Sequence, residues 1–234
     1  MARVRSVDLG SPFIAHLDDV CEVLLVRHGE QVLTRNMAIG DAIDAPLSDL
    51  GRKQAEAVGE RLGEVEIHAI YSSPMSRARD TAQAIAAHHD LDVTEVADLT
   101  EINLWRDVPQ DQGLLDSVGP DELRRIMRAG NRTQRWDAYP YAEPPQEFRA
   151  RIVTAIDAIM ARHVGQRVVV ACHGGVINGY VAQSIRSELD TPCTIHHTSI
   201  TTVRAMDDQR RVVQVNDHAH VLSFQAALNP NNAL

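Results

Sequence analysis

Two short segments of this 234-residue chain end an apolar run on a histidine followed by glycine: Val26-Arg27-His28-Gly29-Glu30 and Ala171-Cys172-His173-Gly174-Gly175. A histidine that closes a buried strand is available as a nucleophile when its ring is neutral and one nitrogen is held by a hydrogen bond, because the other can then attack phosphorus. The glycine lets the backbone turn close to the reacting group. Taken alone, Arg-His-Gly reads as a chance tripeptide or a structural histidine, but a second strand end with the same grammar points to chemistry. Between the two, Ser72-Ser73-Pro74-Met75-Ser76-Arg77-Ala78-Arg79-Asp80-Thr81-Ala82 opens a helix that can aim Arg77 at the same crevice. Arginine presents planar paired donors that suit phosphate oxygens.

The elements that must position these residues are legible from their periodicity. Glu22 to Val26 predicts a buried strand, and Ser48 is a helix N-cap ahead of Leu50, Ala55, Val58 and Leu62 at helical spacing, with Gly63 near the stop. Ala69-Ile70-Tyr71 predicts a second strand, Ser73-Pro74 a helix start and Ala78 to His88 its body. Val93 to Val96 reads as a strand, and Pro120 to Met127 and Pro145 to Val164 as helices. Arg167 to Cys172 has the continuous apolar run of a fully buried parallel strand, and Gly174-Gly175 leads into a helix through Ile185. Thr194 to Ala205 and Arg211 to Val215 read as a hairpin around Met206 to Gln209. This rhythm predicts an α/β three-layer sandwich: a mostly parallel central sheet with one antiparallel strand near an edge, flanked by helices. We expect one domain over 1–234, with a core at about 21–221 and a helical and loop insertion at about 104–146 lying over the active site. The tail around Asn229 to Asn232 is expected to fray.

The ordered motifs resemble the histidine phosphatase superfamily, the phosphoglycerate-mutase-like branch 1 type. That family's pattern runs from a strand ending in Arg-His-Gly-Glu through Asp-x-Pro-Leu-Ser/Thr-x-x-Gly to Ser-Ser-Pro-x-x-Arg-Ala-x-x-Thr-Ala. A Glu after a Leu and a late His-Gly follow. The chain carries Asp44-Ala45-Pro46-Leu47-Ser48-Asp49-Leu50-Gly51, the Arg77 segment, Leu99-Thr100-Glu101 and His173-Gly174 in that order. Asn216-Asp217-His218-Ala219-His220-Val221 is similar to the family's closing segment, so the resemblance spans about Val23 to Val221. It implies that His28 is the phosphorylated nucleophile, that Arg27, Arg77, His173 and Gly174 surround the phosphoryl group, and that Glu101 is the proton donor. No cofactor or metal is implied. The chain departs from the family pattern at Gln31 and Thr34, with Asn36 displaced, and at Glu101-Ile102-Asn103-Leu104-Trp105, where the mutases carry Glu-Arg-x-Tyr-Gly. The second departure favours hydrolysis of a phosphate ester over mutase transfer. A mutase and a catalytically silent phospho-ligand-binding module stay as alternatives.

Composition narrows the partners. A net charge of −9 disfavours nucleic acid and anionic membranes, so an anionic small-molecule phosphate ester needs a local basic pocket. Three cysteines out of metal-ligand spacing, and no secretory or membrane-spanning run, fit a cytoplasmic chain. The pairs His196-His197 and His218/His220 could suggest a metal, but adjacent strand histidines face opposite sides, so structural roles are favoured. His88-His89 reads as favourable charge near a helix end. The arginines between Arg124 and Arg135 read equally as a solvated helix face or, with Trp105, Trp136, Tyr139 and Tyr141, as a lid that selects the organic part of the substrate. The hairpin offers a sheet edge that could pair in a homodimer.

Overall fold

The computed structural model describes residues 20–222, and the tail around Asn229 to Asn232 lies outside them. In chain order the elements are β1 (Cys21–Arg27), α1 (Ile39–Ile43), α2 (Asp49–Gly63), β2 (Ala69–Ser72), α3 (Ser76–Ala86), β3 (Val93–Glu95), α4 (Leu114–Ser117), α5 (Pro120–Thr133), α6 (Pro145–Arg162), β4 (Arg167–Cys172), α7 (Gly174–Ser184), β5 (Ile200–Met206) and β6 (Gln209–Asp217).

The strands form one sheet in the order β3-β2-β4-β1-β5-β6. The first four run parallel, β5 is antiparallel to β1, and β6 returns antiparallel to β5. The apolar strands are buried on both faces, as parallel strands covered by helices must be. Alternation sends Val23 and Leu25 of β1 toward Phe148, Ile152 and Ile156 of α6 and Ile177 of α7. Leu24 and Val26 go the other way, to Val58 and Leu62 of α2 and Ile85 of α3. Register then fixes what the strand ends present. Val26 lies opposite Ala171 and Arg27 opposite Cys172, so His28 and His173 emerge side by side. Ser72 also lies opposite Ala171, which brings Ser73 to the same level.

Several boundaries differ from the sequence reading, three of them with a clear physical reason. Helix α3 starts at Ser76, because Ser73-Pro74 stays in a loop and the Ser76 N–H is satisfied from a distance by Asp44 Oδ1 at 2.7 Å. Helix α5 runs on to Thr133: Ile126 and Gly130 face inward, and Gln134 stops the helix in a left-handed conformation at φ 55°. The segment before β5 is not strand. It folds back over β1, with Thr198 at φ 55° and its N–H donating to Arg27 O at 3.0 Å. The short helices α1 and α4 carry no clear period and were not foreseen.

The segment between β3 and α6 holds short helical turns at Ala97–Leu99 and Trp136–Ala138, with α4 and α5 between them. It is tied to the loop after β1 by backbone bonds, Ile39 N–H to Gln112 O at 2.9 Å and Gly40 N–H to Gln110 O at 2.8 Å. Asn36 adds two more, donating from Nδ2 to Asp116 and accepting from the Leu115 N–H at Oδ1.

Candidate active site

The site is assembled at the carboxyl ends of β1, β2 and β4, where open α/β sheets leave a crevice. His28 is buried, and its Nδ1 lies 2.7 Å from Gly29 O. A carbonyl only accepts, so Nδ1 carries the proton. Nε2 is then a lone pair, and the Nε–H of Arg77 donates to it at 3.1 Å. Burial, and then the neighbouring His173, Arg77 and Arg27, push the His28 pKa well below the ordinary histidine value and keep the ring neutral.

Arg77 binds the neighbourhood together. Besides His28, it donates from one amino group to Ile43 O at 2.7 Å and from the other toward His173 Nδ1 at 3.3 Å. Since arginine only donates, His173 Nδ1 is an acceptor and Nε2–H donates to Ser73 Oγ at 2.9 Å. His173 is also held neutral, by burial and then by the two arginines. Its ring centroid is 5.1 Å from that of His28. Arg27 donates to Ile195 O at 2.6 Å, while its buried Nε has no hydrogen-bond partner among the described residues. A Cβ at Gly174 would lie 3.6 Å from that Nε, so the glycine keeps the approach to it open. An unpaired buried guanidinium donor is costly unless a ligand oxygen satisfies it.

Glu101 sits at the N-terminus of α7. Its two oxygens accept from the Gly175 N–H and the Ile102 N–H, both at 3.0 Å. This approach requires a glycine, since a Cβ at position 175 would meet Glu101 Oε1 at 2.3 Å. Burial disfavours the charge of both Arg27 and Arg77, and the Glu101 carboxylate is the chief group offsetting it.

The remaining motif residues build the frame. The Gly29 N–H donates to Thr81 Oγ1 at 3.1 Å, and the Glu30 N–H to Gln54 Oε1 at 2.8 Å. Ser48 caps α2 through the Gly51 N–H and donates to Glu30 Oε1 at 2.8 Å. Here the loop after β1 and the start of α2 touch backbone to backbone: a Cβ on Gly51 would lie 1.9 Å from Glu30 O.

The structure therefore brings together all six residues singled out in the sequence, Arg27, His28, Arg77, Glu101, His173 and Gly174. It also adds one. His197 is not on a strand but in the loop before β5, with its ring centroid 5.6 Å from that of His28. Burial, followed by Arg27, His196 and Arg77, pushes its pKa down to about 3. The strand assignment hid it, and no local pattern would have revealed it. His196 does play the structural part expected, stacking on His218 at 4.2 Å and accepting from Asn216 Nδ2 at 2.8 Å. The charge reading of His89 is corrected: burial and His88 push its pKa down, and α3 ends at Ala86, before the pair. Arg79 leans on Asp80 at 3.7 Å, as a solvated helix residue does.

A cleft of about 530 Å³ opens from Arg77 and Glu101 outward. Trp105 is on its wall, whereas Trp136, Tyr139 and Tyr141 are not; Tyr139 and Tyr141 flank Trp105 from behind at ring distances of 6.2 and 6.3 Å. The arginines of α5 face solvent, with Arg124 and Arg125 paired to Asp121 and Glu122.

Fold and site together define an α/β enzyme of phosphoryl chemistry, with neutral imidazoles and guanidiniums gathered at the carboxyl ends of parallel strands. The chain belongs to the histidine phosphatase superfamily, branch 1, whose family model matches residues 23–218. It is 34% identical over 210 residues to phosphoglycerate mutase-like protein 4 of Arabidopsis thaliana, covering 87% of this chain and 88% of that protein. It is 32% identical over 208 residues to a metal-independent phosphoserine phosphatase of the same plant, covering 88% and 85%. Among solved structures, Bacillus stearothermophilus YhfR superposes with a TM-score of 0.71 at 27% identity, covering 86% of this chain and 99% of that one. The chain is accordingly an enzyme of the phosphoric monoester hydrolase class.

Proposed function

We propose that the chain hydrolyses a phosphorylated small molecule through a covalent phosphohistidine on His28, without a metal ion. The observation that carries this reading is the His28 tautomer, with Nδ1–H tied to Gly29 O and the Nε2 lone pair turned to Arg77. Nε2 attacks phosphorus and the bond from phosphorus to the ester oxygen breaks. Arg27 and Arg77 neutralise the equatorial oxygens, with His173 beside them. The departing alkoxide takes a proton from Glu101. Water then attacks the phosphohistidine, Glu101 takes its proton, the P–N bond breaks and His28 is restored. Each Glu101 oxygen uses one lone pair for a backbone N–H, so the other can carry the proton without loosening the side chain.

The test is phosphate release from a panel of monoesters in the presence of EDTA, by the wild type and by His28→Ala. We expect turnover by the wild type, none by the variant, and an acid-labile phosphoenzyme trapped only when His28 is present. A variant as active as the wild type would overturn the assignment.

The acidic net charge supports a small-molecule partner over nucleic acid. Three unpaired cysteines, two of them buried, support residence in a reducing compartment, and no helix among the described residues is long and apolar enough to cross a membrane. The outer edge of β6 has no neighbouring strand among the described residues. A homodimer paired along it would appear as a doubled mass in light scattering.

A further inference from the structure

The cleft leading from the phosphoryl pocket differs in character from the pocket itself. Its charged wall residues are Arg77 and Glu101, both at the inner end. Outward it is lined by Leu33, Leu104, Trp105, Leu114, Leu115 and Leu123. Its polar side chains are partly spent on the protein: Asn36 holds Leu115 N–H and Asp116, and Asn103 Oδ1 accepts from the Trp105 N–H. The nearby cations do not serve it. Arg106 is bound to Asp107 at 2.9 Å, Arg124 to Asp121, and Arg35 is not on the wall. A second hollow of about 580 Å³ lies away from the histidines, and its Arg149 and Asp190 satisfy each other.

Resting on the phosphatase reading, we propose that the preferred ester carries an uncharged apolar organic group, aryl or alkyl, seated against these leucines and Trp105. A substrate carboxylate, such as phosphoserine or a phosphoglycerate presents, would be desolvated there with no cation beyond Arg77, which the phosphoryl group engages at the inner end, and with Glu101 beside it. An aromatic ring gains from the same wall, by a factor of about ten or more in affinity when fully covered. The volume is that of a site for a whole organic group rather than for phosphate alone. Trp105 is fixed for this contact, since the Gln110 side chain donates to its carbonyl at 2.9 Å and Tyr139 and Tyr141 back its ring.

The comparison should use esters of primary alcohols, so that the leaving group is similar and the difference reports the cleft. We expect 2-phenylethyl phosphate to exceed phosphoserine about tenfold or more in kcat/KM, chiefly through KM. Binding is measured in parallel by calorimetry on the wild type, with the non-hydrolysable 3-phenylpropylphosphonate and 2-amino-4-phosphonobutanoate. This arm separates the two readings: no turnover of any ester sinks the phosphatase assignment, while the binding preference still decides the cleft. Leu33→Arg, on a side chain already 60% exposed and so harmless to folding, should narrow the preference by aiding the carboxylate. Leu115→Lys, at a second point on the lining, should do the same. Equal or tighter binding of the amino acid phosphonate, unchanged in both variants, overturns the proposal.

Discussion

A lone pair on His28 Nε2 facing a guanidinium is the smallest unit of this site, and it makes His28 and Arg77 interdependent. Lysine at position 77 would keep the charge but lose the planar fork that reaches His28, Ile43 O and His173 together. Arg77→Lys should therefore lower kcat/KM by about 100-fold or more, read in steady-state kinetics with the best ester of the panel. Because burial and neighbouring cations depress the His28 pKa, its neutral form persists well below the ordinary histidine range. The pH profile of wild-type kcat/KM should then show no acid-limb step near pH 6.5 beyond the ester's own second ionisation. These residues were legible because Arg-His-Gly and the Arg77 segment carry unusual side chains next to glycines. His197 was not, because its place depends on a turn with Thr198 at positive φ rather than on any period.

At the scale of elements, two glycines let backbone and side chain approach where no Cβ fits. Alanine normally favours a helix by about 1 kcal/mol over glycine, yet neither position should show that gain. Gly175→Ala pushes against the flexible end of Glu101, so stability should change little while kcat falls about tenfold or more; urea unfolding and kinetics on one preparation check both halves. Gly51→Ala meets the backbone carbonyl of Glu30, which cannot swing away. It should cost about 3 kcal/mol and lower the unfolding midpoint. The helix and strand bodies were readable from apolar spacing, whereas the start of α3 was not. Asp44 satisfies its first N–H from 32 residues away in sequence, and local signals on Ser73-Pro74 carry no trace of that bond.

For the molecule as a whole, the cost of the site appears as acid sensitivity. His28 and His173 are buried and His197 is half-buried, all three neutral, and each has a folded pKa below its unfolded value. The unfolded chain binds more protons between those values, so stability is full above about pH 6.5 and is lost as pH falls through the window, down to about 3 for His197. From His197 alone the loss between pH 7 and pH 5 should be about 2 kcal/mol. His197→Gln should flatten the slope of unfolding free energy against pH in that range. An unchanged slope would show that the ring reaches solvent before it charges.

The sequence by itself determined the α/β class, the strands and helices that carry the motifs, and the identity of the six residues that meet. Buried parallel strands must be apolar on both faces, and glycines must follow a strand end that turns sharply, so both leave local marks. Only the tertiary structure decided that the β1 and β4 register sets His28 beside His173, that the loop before β5 adds His197, and that Trp105 faces the cleft while Trp136 does not. Those outcomes depend on contacts between segments tens to more than a hundred residues apart, and no local pattern in the chain encodes them.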